Sequence, residues 1–474
     1  MMCRRLGCLL GLCFAGAAAW AQGVTLPDAT RIELDNGAVL VLSEKHDVPL
    51  IGVEAIIRGG AVADPAGKSG LASLLASVME KGAGDRDASQ FAEAIDSVGA
   101  VLSIGADLEA IRISGEFMSR DADLMIGLLG DLLRRPRLEA SEMVGLRDRQ
   151  INQIRAAKDG DPRWLMNIYG NGFLFADHPY GTPQIGSEES LARIRHADLT
   201  SYYRDHVGAD RLIVAIVGDF DASVMAEKLR AVFEDWEPAN AALPDIGAAE
   251  PVSGRRVLLI DKPGSTQSYF WVGNVGIAVD YARRAEFDIA DTLFGGRMTS
   301  LLQSELRTKG GLTYGARTYV RRPSRPGSIA ISSFTKTEST MTAIDLALVL
   351  LEKMRAEGFD EETIASGKNY ILGLFPQRLE TGAQLAAQFA ELEAYGLDDS
   401  HINAYGAAIA AADGETIQDV ITSVYPAADN LVFVILGDAQ AIREDVAKYG
   451  AVTEMSMRAP RFRPSLDESA VTAN

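Results

Sequence analysis

The sequence predicts an α+β protein of two homologous domains, each a mixed, mostly antiparallel β-sheet packed against α-helices. Three features of the 474-residue chain indicate this fold. They are two matching apolar runs far apart in the sequence, a similar order of strands and helix at the start of each half, and one linker between the halves. The composition agrees, because 47% of the residues are hydrophobic and 23% are charged, as in globular proteins with large cores.

Two continuous apolar runs are the strongest sign of an internal repeat. Residues 212–219 read LIVAIVGD and residues 431–438 read LVFVILGD. A run without alternation that ends in Gly-Asp is typical of a strand buried on both faces of a sheet. The two runs lie too far apart for a solenoid repeat, so we expect one such strand in each of two homologous domains.

Both halves also begin with strands followed by a helix. In the first half, residues 31–43 alternate around Asn36-Gly37, which is a hairpin turn signal. The segments expected to follow are strand 53–57 and helix 70–80 in the first half, and strands 257–260 and 268–272 and helix 281–294 in the second. The common order supports the prediction of two related domains.

One stretch without periodicity separates the halves. Residues 237–254 (EPANAALPDIGAAEPVSG) are rich in Ala, Pro and Gly. We therefore predict domains over 25–236 and 255–450, joined by this linker into a clam-like shape. Residues 451–474 are expected to form a C-terminal tail that is disordered from Pro460 onward.

The N-terminal segment, residues 1–21, has the pattern of a signal peptide. Arg4 and Arg5 form a short basic region, residues 6–19 are apolar and small, and residues 19–21 read Ala-Trp-Ala, a small-x-small cleavage site. The alternative is a buried N-terminal helix. All three cysteines of the chain lie in this segment, so the mature chain is expected to contain no disulfide. The pattern predicts export to a bacterial periplasm.

The charge of the chain excludes some classes of partner. The formal net charge is −19, which argues against nucleic acid and anionic lipid surfaces. It agrees with cationic peptides as ligands, or with solubility alone. After the N-terminal segment no apolar run reaches about 18 residues, so no membrane-spanning helix is predicted.

The helix expected over 70–80 carries a motif with its spacing intact. Residues 70–83 read GLASLLASVMEKGA. This stretch resembles the G-L-x-H-x-x-E-H motif of the insulinase/pitrilysin-type (inverzincin) zinc peptidases, in which a short apolar stretch and Lys-Gly-Thr or similar follow. The resemblance spans about residues 25–450 and implies the two-domain fold of a small bacterial member of this family.

The resemblance places residues that do not bind zinc at every functional position of the metal site. The two zinc-binding histidines of the family fall at Ser73 and Ser77, the glutamate base falls at Ala76, and the third ligand falls nearest to Gln153. Residues four apart lie on one face of a helix, so two imidazoles there converge on one metal ion. Serine hydroxyls are poor zinc ligands, and alanine accepts no proton. We therefore expect this chain to bind no metal and to cut no peptide alone.

The five histidines offer no replacement for the lost zinc site. None has a His-x-x-x-His or His-x-x-Glu-His spacing, and His178 in HPYG is expected to hold a loop rather than bind a metal. The sequence contains neither a Gly-x-Ser-x-Gly elbow nor a phosphate-binding loop. An autonomous hydrolase of another class is therefore the least supported function.

The second half retains a different part of the family pattern. Residues 295–315 read GGRMTSLLQSELRTKGGLTYG, which resembles the family stretch G-G-x-x-S-x-L-x-x-x-x-R-x-x-x-G-L-x-Y. In the family the Tyr of this stretch binds the oxyanion at the scissile carbonyl and the Arg holds substrate, and these roles carry over to Arg307 and Tyr314. Without the resemblance, Arg307 is explained as a solvated charge and Tyr314 as a core aromatic residue.

Loss of the zinc ligands together with retention of Arg307 and Tyr314 predicts an active site shared between two chains. The resemblance implies this arrangement, because some bacterial members of the family pair a zinc-motif chain with a chain like this one. We expect the homologous partner to supply zinc and base, and this chain to supply substrate and oxyanion contacts for peptide hydrolysis.

The alternative is a catalytically inactive peptide-binding or assembly protein of the same fold. In the family, extended substrate pairs with a sheet edge of the zinc domain, which corresponds to residues 100–105 here. This segment reads AVLSIG and departs at Ser103-Ile104 from the Asn-Ala of active members, which argues against peptide binding in the first half.

Overall fold

A computed structural model describes residues 24–465 of the chain. Eight strands belong to the first half: β1 (Thr30–Glu33), β2 (Val39–Glu44), β3 (Leu50–Arg58), β4 (Gly82–Ala83), β5 (Arg86–Asp87), β6 (Val101–Ala106), β7 (Ala110–Met118) and β8 (Leu212–Gly218). Six strands belong to the second half: β9 (Arg255–Asp261), β10 (Gln267–Val275), β11 (Ala316–Val320), β12 (Ser328–Lys336), β13 (Leu431–Gly437) and β14 (Ala451–Ser456).

Helices occupy most of the remaining chain. Those of the first half are α1 (Leu71–Met79), α2 (Ala88–Asp96), α3 (Ala122–Arg134), α4 (Ala140–Asp159), α5 (Met166–Phe175), α6 (Glu188–Arg193), α7 (His196–His206) and α8 (Ala222–Phe233). Those of the second half are α9 (Arg284–Asp291), α10 (Thr340–Glu357), α11 (Glu361–Leu374), α12 (Gly382–Tyr395), α13 (Ser400–Asn403), α14 (Tyr405–Ala411), α15 (Gly414–Val424) and α16 (Ala439–Val446). Two π-helical segments, Thr292–Gly296 and Gln303–Lys309, follow α9.

The two six-stranded sheets have the same order in five of their six strands. The first sheet runs β6-β7-β3-β8-β2-β1 and the second runs β11-β12-β10-β13-β9-β14. In each sheet the long apolar strand, β8 or β13, is parallel to one neighbour and antiparallel to the other. The predicted α+β fold of mixed sheets packed against helices is confirmed.

The outermost strands differ between the two sheets. Strand β1 is antiparallel to β2 across the hairpin that turns at Gly37, whose φ of +88° favours glycine. Strand β14 comes instead from the end of the chain and is parallel to β9. The second sheet is therefore closed by residues beyond the predicted domain boundary at 450.

Both sheets contribute to both apolar cores of the molecule. Alternate side chains of the strands β8 and β13 point into different cores. The first core receives Leu212, Val214, Ile216, Val432, Val434 and Leu436. The second core receives Ile213, Ala215, Val217, Leu431, Phe433 and Ile435. The continuous apolar runs in the sequence reflect this burial on both faces.

Each half also contributes a helix that covers the sheet of the other half. Helix α12 packs on β3 and β8 of the first sheet, and α5 packs on β10 and β13 of the second. The contacts are close, because a Cβ on Gly52 of β3 would lie 2.2 Å from the amide nitrogen of Ala383. A Cβ on Gly170 of α5 would lie 2.5 Å from the indole of Trp271. Glycine is required at both crossings.

The structure describes the predicted linker and the first part of the predicted C-terminal tail. Residues 237–254 are described in full and contain neither helix nor strand. The expectation of disorder from Pro460 onward is wrong for residues 460–463, because Phe462 is buried and packs edge-on against Tyr169 at 5.0 Å. The aromatic contact supplies apolar burial that composition alone did not indicate. The domain boundaries themselves remain a prediction.

The predicted signal peptide, residues 1–21, lies outside the described residues. In the part of the chain that the structure covers, no helix combines the length and apolar character needed to cross a bilayer.

Candidate functional site

Helix α1, which carries the zinc-motif positions, is held firmly at its N-terminus. The carboxylate of Asp64 accepts hydrogen bonds from the backbone N–H groups of Gly70 (2.7 Å) and Ala72 (2.9 Å). This carboxylate satisfies donors that a helix start leaves without partners. Burial raises the pKa of Asp64 to about 7, and the backbone N–H groups, which act to lower it, do not offset the burial. Gly70 has a φ of +92° and touches Gly186, so the loop before α6 lies directly against α1.

Ser73 and Ser77 lie one turn apart on α1, as the motif spacing predicts. The Ser73 hydroxyl donates to the carbonyl oxygen of Gln184 at 2.8 Å. The Ser77 hydroxyl donates to the Ser73 carbonyl oxygen at 3.0 Å. Both hydroxyls therefore make ordinary helix and loop hydrogen bonds. Ala76 is only 1% exposed and packs in the first core.

Gln153 on α4 completes the group of matched positions. Ser73, Ser77 and Gln153 all line one open cavity of about 880 Å³, together with Trp164 and the end of β6. The structure thus brings these three positions together from two helices, as the resemblance implies. Ala76 does not reach the cavity wall.

The donors of this cavity do not fit a zinc ion. Zinc sites in proteins use thiolate, imidazole and carboxylate ligands, whereas the matched positions on this wall offer two donated hydroxyls and a neutral amide. The wall also contains the carboxylate of Asp161, which is paired with Arg163. Across residues 24–465, no group of three or more His, Cys, Asp or Glu side chains is placed to hold a metal ion. These observations fit a chain that binds no zinc through its own residues.

The His178 prediction is confirmed by its contacts. Its ring nitrogen Nε2 lies 2.9 Å from the carbonyl oxygen of Gly247 in the linker, and Nδ1 accepts from the N–H of Tyr180 at 3.1 Å. His178 therefore holds the loop at residues 178–181 against the linker.

A contact at the free edge of the first sheet was not predicted from the sequence. Strand β6 is the outermost strand there, and the N–H of Ile104 donates to Glu80 Oε1 at 3.2 Å. Glu80 comes directly after the apolar residues of α1 and lies within the motif stretch 70–83. That position was the sequence signal from which the contact could have been predicted. A peptide that adds to this edge competes with Glu80 for that N–H group.

Arg307 and Tyr314 occupy the irregular region after α9. Arg307 lies in the π-helical segment Gln303–Lys309, and Tyr314 lies in the loop before β11. Tyr314 is 81% exposed, so it is not the core aromatic residue that its type favours. Among the described residues, neither side chain takes part in a hydrogen bond, an ion pair or the lining of the cavity at Ser73.

The loop that carries Tyr314 is nevertheless fixed by hydrogen bonds on both sides. The Thr313 hydroxyl donates to the Gly315 carbonyl oxygen and accepts the Gly315 N–H, each at 3.0 Å. From β12, Ser333 donates to the same carbonyl oxygen at 2.9 Å, and Thr335 donates to the residue before Thr313 at 2.6 Å. The backbone therefore presents Tyr314 to solvent in one defined position.

Together the fold and the site define a two-sheet protein that is similar to zinc peptidases and lacks metal ligands at the matched positions. Residues 193–371 match the family model described as the peptidase M16 inactive domain. A Helicobacter pylori protein named non-peptidase homolog YmxG is 22% identical over 364 residues, which cover 76% of this chain and 83% of that protein. The predicted resemblance to the insulinase/pitrilysin-type, or M16, peptidases is confirmed.

Solved structures show the same fold. The crystal structure of a peptidase M16 inactive domain from Pseudomonas fluorescens has a TM-score of 0.80 at 20% identity, covering 86% of this chain and 98% of that one. The crystal structure of a protease from Helicobacter pylori has a TM-score of 0.79 at 20% identity, covering 87% and 100%.

Proposed function

We propose that this chain is the zinc-free subunit of a heterodimeric periplasmic metallopeptidase. In this complex a homologous partner binds zinc, and Arg307 and Tyr314 contact the peptide substrate at the partner's metal site. The periplasmic location rests on the signal-peptide pattern of residues 1–21.

The observation that carries the proposal is the placement of Tyr314. A large aromatic side chain that is 81% exposed on a loop fixed by hydrogen bonds is poorly explained by the stability of the chain itself. It is well explained by contact with a second molecule, because a preorganised side chain loses little conformational entropy on binding.

The chemistry of the two side chains suits the site of peptide hydrolysis. A phenol hydroxyl donates one hydrogen bond to a developing oxyanion, and a guanidinium matches a carbonyl or carboxylate with a planar fork. Arg307 lies in a π-helical segment, a rare conformation that is frequent at functional sites.

The cavity at Ser73 supports a division of work between two chains. Its own hydroxyls and amide do not fit zinc, so the metal and the base of the reaction are assigned to the partner. The inactive-domain match over residues 193–371 agrees with a subunit that is inactive alone.

The experiment compares the purified chain alone with its complex. Zinc content and hydrolysis of a fluorogenic peptide are measured with and without a homologous chain that carries His-x-x-Glu-His. We expect neither bound zinc nor hydrolysis from the chain alone, and hydrolysis from the pair. One equivalent of zinc in the lone chain, or hydrolysis by it, contradicts the proposal.

Substitutions then test the assigned residues in the active pair. Tyr314→Phe removes one oxyanion donor and is expected to lower kcat about 100-fold. Arg307→Ala is expected to raise KM and lower kcat/KM about 10-fold, because it removes a charge-assisted contact to substrate. Tyr370→Phe, at an exposed tyrosine of α11, and Arg120→Ala, at an exposed arginine after β7, are the matched controls. Unchanged rates for both Tyr314→Phe and Arg307→Ala favour an assembly protein instead.

A further inference from the structure

A second cavity, remote in sequence from the peptidase motifs, is lined by arginines. It has a volume of about 210 Å³ and lies among α9, the turn after β11, the turn after α11, and the helices α12 to α14. Its charged lining residues are Arg284, Arg322, Arg378, Asp288 and Glu391, and the titratable side chains of His401 and Tyr405 also line it. Three guanidinium groups around one small cavity contrast with a chain whose net charge is −19.

Both carboxylate oxygens of Asp288 already have protein partners. One of its carboxylate oxygens pairs with Arg322 at 2.7 Å, and the other accepts the hydroxyl of Tyr405 at 2.7 Å. Asp288 is thus paired with Arg322, and in the described structure it makes no ion pair with Arg284 or Arg378.

Arg284 has no carboxylate partner of its own. Its guanidinium donates to the ring nitrogen Nε2 and to the carbonyl oxygen of His401, and it lies 4.4 Å from the centre of the Tyr405 ring. Burial lowers the pKa of His401 to about 4, and the nearby Arg284 and Arg322 add to the effect, so the imidazole is neutral above that pH.

The positive charge of the cavity is therefore not balanced. Within the described chain, no Asp or Glu oxygen comes within ion-pair distance of Arg284 or of Arg378, which is exposed at the rim. Glu391 makes no ion pair either. Apart from Asp288, it is the one lining carboxylate whose negative charge opposes the positive charge of these two arginines. A partly buried cation without a counter-ion is unfavourable, so the cavity is suited to an anion.

Apolar side chains form part of the remaining wall, beside the polar Gln388. Phe375, Leu392, Leu397 and Ile402 line it, and Phe375 packs against the Tyr405 ring at 4.8 Å. A fully hydrated inorganic anion gains nothing from such a surface, whereas an aliphatic body does.

We propose that this cavity binds a small organic carboxylate with a short apolar body, its carboxylate held by Arg284 and Arg378. A guanidinium matches the two oxygens of a carboxylate in one plane, and the apolar side chains receive the hydrocarbon. The proposal is independent of the proposed peptidase function, because none of these residues lies near the motif positions Ser73, Arg307 or Tyr314 in the lining of a cavity.

The test is calorimetric titration of the full chain with 4-methylpentanoate. The neutral amide of the same shape, 4-methylpentanamide, is the matched control ligand, and inorganic phosphate is the third. We expect binding of the carboxylate and at least about 10-fold weaker binding of the amide and of phosphate. Equal binding of the amide removes the role of the arginines, tighter binding of phosphate removes the role of the apolar wall, and no binding of the carboxylate overturns the proposal.

Two substitutions with opposite expected signs locate the site. Arg378→Gln, at an exposed position, is expected to weaken carboxylate binding about 10-fold. Glu391→Gln removes the opposing charge and is expected to tighten binding about 3-fold. Arg120→Gln, on the first half, is the control and leaves affinity unchanged. An unchanged affinity in Arg378→Gln, or weaker binding in Glu391→Gln, contradicts this location. Because these two side chains lie at the surface or half-buried, the variants are expected to fold, which the unchanged unfolding temperature verifies.

Discussion

The two halves of the molecule have closely similar sheets, but they differ in the helical region that follows strand β3 in the first half and strand β10 in the second. In the first half, β3 leads into α1, a regular helix whose cavity-facing residues are Ser73 and Ser77. In the second half, β10 leads into α9 and then into two π-helical segments that end near the exposed Tyr314. The regular half therefore places at its cavity two serine hydroxyls that hydrogen-bond within the chain, whereas the irregular half exposes Tyr314 on a loop.

The two halves also depend on each other for their cores. Helix α12 covers the first sheet and α5 covers the second, so neither half buries both faces of its own sheet. The two halves are therefore parts of one folding unit. Changes at matched places in the two halves test the difference between them most directly.

The largest expected change is a gain of metal binding in the first half. In the triple variant Ser73→His, Ser77→His, Gln153→Glu, three ligands meet in the existing cavity, and about one zinc ion per chain is expected to bind. Zinc content after dialysis, measured by atomic emission, checks this. The double variant without Gln153→Glu is the control and is expected to bind more weakly. A folded triple variant without zinc would show that α1 and α4 no longer hold the family geometry.

A smaller effect is expected at the two glycines where the halves cross. Gly52→Ala and Gly170→Ala each place a methyl group against backbone or indole atoms, at 2.2 Å and 2.5 Å. Each is expected to reduce the free energy of unfolding by about 3 kcal/mol. Urea unfolding followed by circular dichroism measures this.

The control for these glycines is Gly145→Ala in the middle of α4, where nothing lies within 4 Å of an added Cβ. It is expected to stabilise the chain by about 0.5–1 kcal/mol through helix propensity. Stability losses confined to one of the two crossings would break the equivalence of the halves.

Another expected effect is a pH dependence of stability that the two halves share unequally. Burial raises the pKa of Asp64, before α1, to about 7, and that of Asp291, at the end of α9, to about 6, against 3.8 in the ordinary carboxyl group. Between pH 4 and these values the folded chain holds a proton that the unfolded chain releases. The free energy of unfolding therefore falls as pH rises, by at most about 1.4 kcal/mol per pH unit for each group, and levels off above its folded pKa.

Asparagine variants separate the two contributions. Asp64→Asn is expected to flatten the dependence up to pH 7, and Asp291→Asn only up to about pH 6. Urea unfolding at half-unit steps from pH 4.5 to 8 measures both slopes. If stability in the parent chain rises over this range and neither variant changes the slope, burial does not control these carboxyl groups.

Much of the fold could be predicted from local sequence. The strands β8 and β13 follow from unbroken apolar runs, and the turn at Gly37 follows from its Asn-Gly pair. The crossing of α5 and α12 could not be predicted, because an apolar helix face does not specify which sheet it covers. The strand β14 was missed for a related reason, since an edge strand carries a weak apolar pattern.

The candidate site divides in the same way. The i, i+4 spacing placed Ser73 and Ser77 on one face of α1, and Gln153 joins them across the cavity. The burial of Ala76 and the exposure of Tyr314 depend on tertiary packing, which the residue types did not reveal. The arginine-lined cavity was missed because its residues are scattered over four helices and the turns between elements, and they form no motif.

The helix α12 has a consequence for how the chain is made. The first sheet is complete once β8 has been synthesised, yet one of its faces stays open until the ribosome has passed Tyr395. A truncated product that stops before Gly382 leaves that apolar face without its cover, and such a surface promotes aggregation. Completion of the fold of the N-terminal half thus depends on the synthesis of residues that lie much closer to the C-terminus.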